Sequence, residues 1–339
     1  MKFKRLSSPV RIASPRFVKV TTAGSIVKVV SMRESPGVNP IRRVDKETYY
    51  NLVTKQYGVY HKSKTKADLV DGVKKSLDQL RMIINANCWN ARWLLWVTLT
   101  YAENMQDAKR LYVDFNRFMM RLKRYLAKNN CPHVEYIVVA EPQGRGAWHL
   151  HCILIFPHDA PFLPNVDVAK MWGQGFTKTK AVHGVDNLGA YFSAYLADMP
   201  VDEADNASVK YSAKDVLEKC VVDDEEKESK KKFVKGARLH LYPAGMKFYR
   251  CSQGVYRPKS ATFAINGKNT VDDWQRLKEK AGLAEPTFSK SLVVVDDAQG
   301  GCMDVNDISV EYYNTLRKDC QVMRIDRVEL VENWEETCL

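Results

Sequence analysis

The stretch Val138–Phe156, VVAEPQGRGAWHLHCILIF, constrains the fold of this chain more than any other. Apolar runs on either side of a glycine-bearing turn predict two adjacent antiparallel strands. Side chains alternate along a strand, so His149 and His151 point to one face while Leu150 and Cys152 point to the other. If the hairpin turns about Arg145, position 141 falls opposite position 149, since both lie equally far from the turn. Directly opposed residues share a face with Cβ atoms roughly 4.5–5.5 Å apart, and the diagonal neighbour stays within reach. Glu141, His149 and His151 are therefore expected to converge.

Two imidazoles and one carboxylate with open positions suit a divalent ion that holds substrate oxygens, and a mixed nitrogen and oxygen set is compatible with Mn²⁺ or Mg²⁺. No thiolate cluster argues for structural zinc. The eight cysteines, at 88, 131, 152, 220, 251, 302, 320 and 338, form no C-x-x-C pair, and this dispersal suits reduced thiols in a cytosol. Taken alone, a His-x-His strand is more often a structural or surface pair than a metal site. The opposing carboxylate, together with a tyrosine pair downstream, shifts the balance.

That pair is Tyr191 and Tyr195. A helix is expected from Asp186 or Asn187, both good N-caps, through Asp198, with Pro200 beyond it. Tyrosines four apart sit one turn above the other on a helix face. Such pairs usually pack. Beside a phosphate held by a metal, however, a phenol oxygen could attack phosphorus, and two phenols would permit sequential transfers.

Upstream, WLLWVTLTY at 93–101 reads as a buried strand that presents Thr98 and Thr100 on one face. The segment 105–128 places Leu111, Phe115, Phe118, Met119, Leu122 and Leu126 on a helical face, and its basic opposite face reads as solvated surface. Residues 46–92 are expected to be a helical lead-in, with Leu69, Val73, Leu77, Leu80, Ile83 and Ile84 near a 3.6 period.

Charge divides the chain. Residues 1–45 carry ten Lys/Arg against two acids, and 283–339 carry five against twelve. With a net charge of +12 overall, the middle is strongly basic, which favours a polyanionic partner over a merely solvated surface. We expect a flexible basic arm at 1–45, although VKVTTAGSIVKVV could form a hairpin within it. A catalytic region follows at 93–282, broken by a charged insertion at about 201–235, and 283–339 is expected to be an acidic tail with SLVVVDD as strand and DISVEYYNTLRKD as helix. Residues 236–258 are expected to form a hairpin about Pro-Ala-Gly. No apolar run approaches the roughly 20 residues that cross a bilayer, so a soluble, cytoplasmic protein of a bacterial host is expected.

In order, the threonine-bearing strand WVTLTY, the strand HLH with its upstream glutamate, and the tyrosine pair YFSAY resemble the three motifs of the HUH endonuclease superfamily. More narrowly, residues 93–258 resemble rolling-circle replication initiators of plasmids, integrative elements and small single-stranded DNA phages. The three motifs together are specific; each alone is weak. The resemblance implies an α+β fold, a ferredoxin-like antiparallel sheet with the HUH strand central and helices packed mainly on one face. It implies Glu141, His149 and His151 as ligands of Mn²⁺ or Mg²⁺, Tyr191 and Tyr195 as nucleophile candidates, and Thr98, Thr100 and Arg145 as DNA contacts. The reaction implied is nicking of single-stranded or extruded origin DNA, leaving a 5′-phosphotyrosyl intermediate and a free 3′-hydroxyl primer.

One departure from the pattern stands out. Relatives often carry a lysine three residues after each tyrosine, where this chain has Ala194 and Asp198. Tyr211 and Lys214 do form a Tyr-x-x-Lys, but at the charged insertion, and they rank below the pair. No G-x-x-x-x-G-K-[ST] occurs, so a host helicase and a polymerase are expected as separate partners. A relaxase, a single-strand transposase and a non-catalytic DNA-binding regulator are the alternatives.

Overall fold

The computed structural model describes residues 2–10, 12, 15–34, 41–52, 54–60, 62–182, 188–189, 196–222, 228–265, 276, 278–279, 282–283, 285–296 and 303–315. The chain divides into two compact units: Met1–Lys62 with Pro258–Leu339, and Ser63–Arg257. Both are built on antiparallel sheets, and the fold is α+β.

The first unit begins with β1 (Lys2–Arg5), β2 (Phe17–Ala23), β3 (Ile26–Met32), β4 (Ile41–Arg43), β5 (Thr48–Asn51) and β6 (Gln56–Val59). The second holds β7 (Leu94–Thr100), β8 (Glu135–Pro142), β9 (Trp148–Ile155), β10 (Thr177–Ala181), β11 (Met199–Pro200), β12 (Val216–Val222), β13 (Glu228–Val234) and β14 (Tyr249–Cys251). Its helices are α1 (Val70–Asn87), α2 (Ala108–Lys128), α3 (Asn165–Trp172) and α4 (Val201–Asn206). The first unit resumes with β15 (Ser260–Ala264), β16 (Phe288–Asp296) and β17 (Met303–Asn314).

In the first unit, one sheet runs in the order β1-β16-β17-β3-β2-β15 and a second in the order β4-β5-β6. The stretch expected as a flexible arm therefore contains the β2–β3 hairpin, whose Val18, Val20, Val27 and Val29 are buried. The stretch expected as an acidic tail supplies β16 and β17, and DISVEYYN is strand rather than helix. Pairing explains the difference: β17 lies along β3 with Val29 opposite Glu311, and Glu311 is buried with Lys278 at 3.1 Å. The lead-in expected at 46–92 is likewise part sheet, with helix only from Val70.

In the second unit the sheet order is β10-β7-β9-β8-β14, so the histidine-bearing strand β9 is central. Asp107 caps α2 by accepting the backbone N–H groups of Lys109 and Arg110, two donors that a helix start leaves orphaned. The six apolar residues expected on one face of this helix are all buried. Phe115 packs on Tyr136, which lies opposite Leu154, so α2 covers the face of the sheet bearing Leu150, Cys152 and Leu154. His149 and His151 occupy the other face. In α1 the expected stripe is buried from Val73 to Ile84, whereas Leu69 sits in a preceding 3-10 turn and is exposed.

Two expectations change here. Residues 235–248 are turns and a short 3-10 helix rather than a hairpin, and only Tyr249–Cys251 joins the sheet, pairing with β8. The charged segment 201–235 is folded as α4, β12 and β13, and Ala204, Phe233 and Val234 are buried. Among the described residues no helix is long and apolar enough to cross a membrane.

Candidate functional site

The β8–β9 hairpin turns through Gln143–Ala147, closed by Gln143 N to Ala147 O at 2.8 Å and Gly146 N to Gln143 O at 2.7 Å. This turn sets the register expected from the sequence: Glu141 opposes His149, and Val139 opposes His151. On the other side β7 places Thr100 opposite His149 and Thr98 opposite His151. Each histidine is thus flanked by a β7 threonine.

His151 is held at both ring nitrogens. Its Nε2 lies 2.8 Å from Glu141 Oε2, and its Nδ1 lies 3.3 Å from Thr98 Oγ1. Trp96 Nε1 donates to the same threonine oxygen at 3.3 Å. A coherent proton order follows: Trp96 donates to Thr98, Thr98 to His151, and His151 to the Glu141 carboxylate. Thr98 therefore orients a histidine. Thr100 donates to Phe176 O at 2.8 Å. Arg145 stands exposed at the turn, its Nε donating to Gln143 Oε1 at 3.1 Å.

The other Glu141 oxygen faces Arg238, a residue the sequence reading did not single out. Arg238 Nη2 lies 3.1 Å from Glu141 Oε1 and 2.6 Å from Glu203 Oε2, and the arginine side chain is only 5% exposed. Its Nε donates to Asp198 O, its Nη1 to Pro142 O, and its backbone N–H to Ala197 O. A buried guanidinium with its donors engaged by carboxylates and carbonyls is the arrangement that makes burying such a charge tolerable. The signal in the sequence was an isolated arginine in Ala237–Leu239, which needs an acidic partner if buried.

Burial alone would raise the Glu141 carboxyl. The Arg238 charge and the His151 hydrogen bond outweigh it and hold the group near about 2. His149 moves the opposite way for an imidazole: burial, followed by the neighbouring His151, lowers it to about 4. Near neutral pH the site therefore offers an ionised carboxylate and a neutral His149 ring.

These groups line an open cleft of about 820 Å³ whose further walls include Asp202, Glu203 and Asn206 of α4. Its donor types match a divalent ion. Their arrangement does not yet form a cage: among the described residues no three His, Cys, Asp or Glu side chains are grouped to hold one. Glu141 and His151 meet, but the carboxylate is shared with Arg238 and His149 does not complete the set. As it stands the site is ion-paired.

Tyr191 and Tyr195 lie outside the described residues. The residues on either side of them are anchored in the second unit. Gly189 N donates to Asn85 Oδ1 at 3.0 Å, and a Cβ at Gly189 would come within 2.5 Å of Arg81 O, so only glycine allows this approach to α1. Past the pair, Leu196 O accepts from Tyr242 at 3.0 Å, and the same phenol reaches Ala140 O at 2.9 Å, one residue from Glu141. Tyr242 is fully buried, and burial raises its phenol well above the ordinary value. Tyr211 donates to Asp205 Oδ1 at 2.6 Å; that hydrogen bond raises its phenol and holds it protonated, contrary to what a nucleophile needs.

Residues 94–200 match the family model for the replication-associated protein ORF2. The matched span is just under a third of the chain and includes Thr98, Thr100, Glu141, Arg145, His149, His151 and the tyrosine pair; Arg238 and Tyr242 lie beyond it. The match supports a replication initiator, and hence a DNA-binding role. No curated protein and no solved structure matches the chain significantly.

Proposed function

We propose that the protein is a rolling-circle replication initiator that nicks single-stranded or extruded origin DNA through Tyr191 or Tyr195. The observation that carries this reading is the coincidence of the 94–200 match with the Glu141/His149 cross-strand pair and with His151 on the same face. In the proposed step the phenol oxygen of one tyrosine bonds to phosphorus and the P–O3′ bond breaks. The 3′-oxygen leaves as a hydroxyl, taking up a proton equivalent to the one the phenol gives up, and the 5′-phosphate stays on the tyrosine.

Glu141, His149 and His151 are proposed to hold Mn²⁺ or Mg²⁺ once His149 closes on the other two. When bound, such an ion polarises a phosphoryl oxygen and eases departure of the alkoxide. The chain's own residues prepare the site. Arg238 keeps Glu141 ionised, Thr98 fixes the His151 ring, and low basicity keeps His149 available as a lone-pair donor. Arg238 and Tyr242 tie residues 196–198, just past the tyrosines, to the end of β8. Thr98, Thr100 and Arg145 are proposed DNA contacts beside the cleft. Host helicase and polymerase are proposed partners, and a relaxase or single-strand transposase would use the same chemistry on another DNA end.

The test is incubation with a labelled origin oligonucleotide and Mn²⁺, followed by denaturing electrophoresis for a covalent adduct. An adduct that survives Tyr191→Phe combined with Tyr195→Phe would overturn the nucleophile assignment. A second reading, a DNA-binding regulator without catalysis, is favoured by the ion-paired state of Glu141 and by Ala194 and Asp198 in place of lysines. It predicts salt-sensitive origin binding and no adduct with any divalent ion.

A further inference from the structure

The meander β4–β5–β6 in the first unit has a peculiarity that its function must explain: none of its residues is buried. A three-stranded sheet ordinarily earns its stability by covering one face. This one is held by cross-strand tyrosines instead. Tyr50 and Tyr57 are direct register partners with ring centroids 5.0 Å apart, and Tyr49 and Tyr60 form a second pair at 5.0 Å. Tyr49 lies across Gly58, where a Cβ would come within 2.3 Å of its ring. Tyr57 is 74% exposed and Tyr60 38%.

Register adds charge to the aromatic row. Arg42 opposes Tyr50, which opposes Tyr57, so an exposed guanidinium and two phenol rings share one face. Lys46 and Lys55 lie in the two connecting turns, and Arg43 projects from the other face. The local acids are already engaged: Asp45 accepts the backbone N–H groups of Glu47 and Thr48 at 2.7 Å, and Glu47 pairs with Lys62 at 2.7 Å. What remains outward is cationic and aromatic.

We propose that the β4–β5–β6 sheet is a binding platform for single-stranded DNA, distinct from the cleft at Glu141, with bases stacking on Tyr57 and Tyr50 and Arg42 taking a phosphate. Exposed rings interleaved with cations match this ligand, because an unpaired strand offers both free base faces and a phosphate chain. A duplex offers only the phosphates. The choice of DNA over RNA rests on the replication reading; the platform itself rests on the rings and charges.

The experiment uses the full chain in EDTA, so that cleavage does not intervene, with a labelled oligothymidylate followed by fluorescence anisotropy. Tyr57→Ala is expected to weaken binding about 5- to 100-fold and Tyr57→Phe by less than about twofold. Arg42→Ala is expected to flatten the dependence of log K on log salt by about 0.7. Tyr57 is largely exposed, so its substitution leaves folding intact, which circular dichroism checks. Affinity unchanged by Tyr57→Ala and Tyr50→Ala overturns the proposal, as does an equal loss on duplex DNA. Tighter binding of the matching RNA overturns the assignment to DNA, and self-association abolished by Tyr57→Ala would give the face to a second copy. The adduct assay with Mn²⁺ is read separately: its failure with Tyr57-dependent binding intact removes the nicking reading and leaves the platform.

Discussion

Arg238 and Glu141 form a nearly buried ion pair at 3.1 Å, and the same guanidinium holds Glu203 at 2.6 Å. One cation thus separates two carboxylates that would otherwise face each other out of water. Arg238→Met should therefore destabilise the fold by about 3–5 kcal/mol, since it strands both charges. Arg238→Lys should lose less, keeping the charge but not the fork. Urea unfolding measures both. If the cleft accepts a divalent ion, Mn²⁺ should raise the melting temperature of Arg238→Met more than that of the unaltered protein.

Acid should act on the site in two stages. His149 sits near 4 in the fold against an ordinary 6.5, so the unfolded chain binds the extra proton between those values and stability falls as pH drops from 6.5 to 4. Glu141 sits near 2 against an ordinary 4.5; its contribution is present above 4.5 and is lost as pH falls towards 2. The Glu141 part amounts to roughly 3 kcal/mol. Denaturant midpoints across this range should show both stages. His149→Asn should flatten the upper one, and Glu141→Gln the lower.

Thr98→Val removes the hydroxyl that faces His151 Nδ1 while leaving the strand intact. If Glu141, His149 and His151 hold a metal, this loss of an orienting hydrogen bond should weaken Mn²⁺ binding by about 10- to 100-fold. Calorimetric titration measures it. His151→Ala should weaken binding further, and equal Mn²⁺ affinity in all three proteins would count against the metal assignment.

Tyr242→Phe deletes the phenol that bridges Leu196 O to Ala140 O. The expected stability loss is about 1–3 kcal/mol, because two carbonyls lose a buried donor. With the segment after Tyr195 loosened from β8, adduct formation should slow more than origin binding weakens. Equal effects on both would leave Tyr242 a purely structural role.

The sequence disclosed the parts of the site that depend on local geometry. Strand alternation and a symmetric turn were enough to pair Glu141 with His149, and β7 then brought Thr98 and Thr100 alongside. Arg238 was not legible, because its value comes from partners 35 and 96 residues away, Glu203 and Pro142. The same reason hid the first unit. Nothing local in 1–45 or 283–339 tells that β3 pairs with β17, and opposite net charges at the two ends read as two solvated segments rather than one sheet. In DISVEYYN the spacing suits a helix while the β-branched and aromatic residues suit a strand, and the neighbouring strands decide between them.

That pairing has a consequence in time. The unit bearing the cleft, Ser63–Arg257, is continuous in the chain and has all its strands once Arg257 is made. The sheet that joins β3 to β17 does not: at roughly 10 residues per second, β17 leaves the ribosome about half a minute after β3. Through that interval the β2–β3 hairpin carries an unpaired edge, and ribosomes stalled before Met303 should hold nascent chains that are protease-resistant in the middle and sensitive near the start.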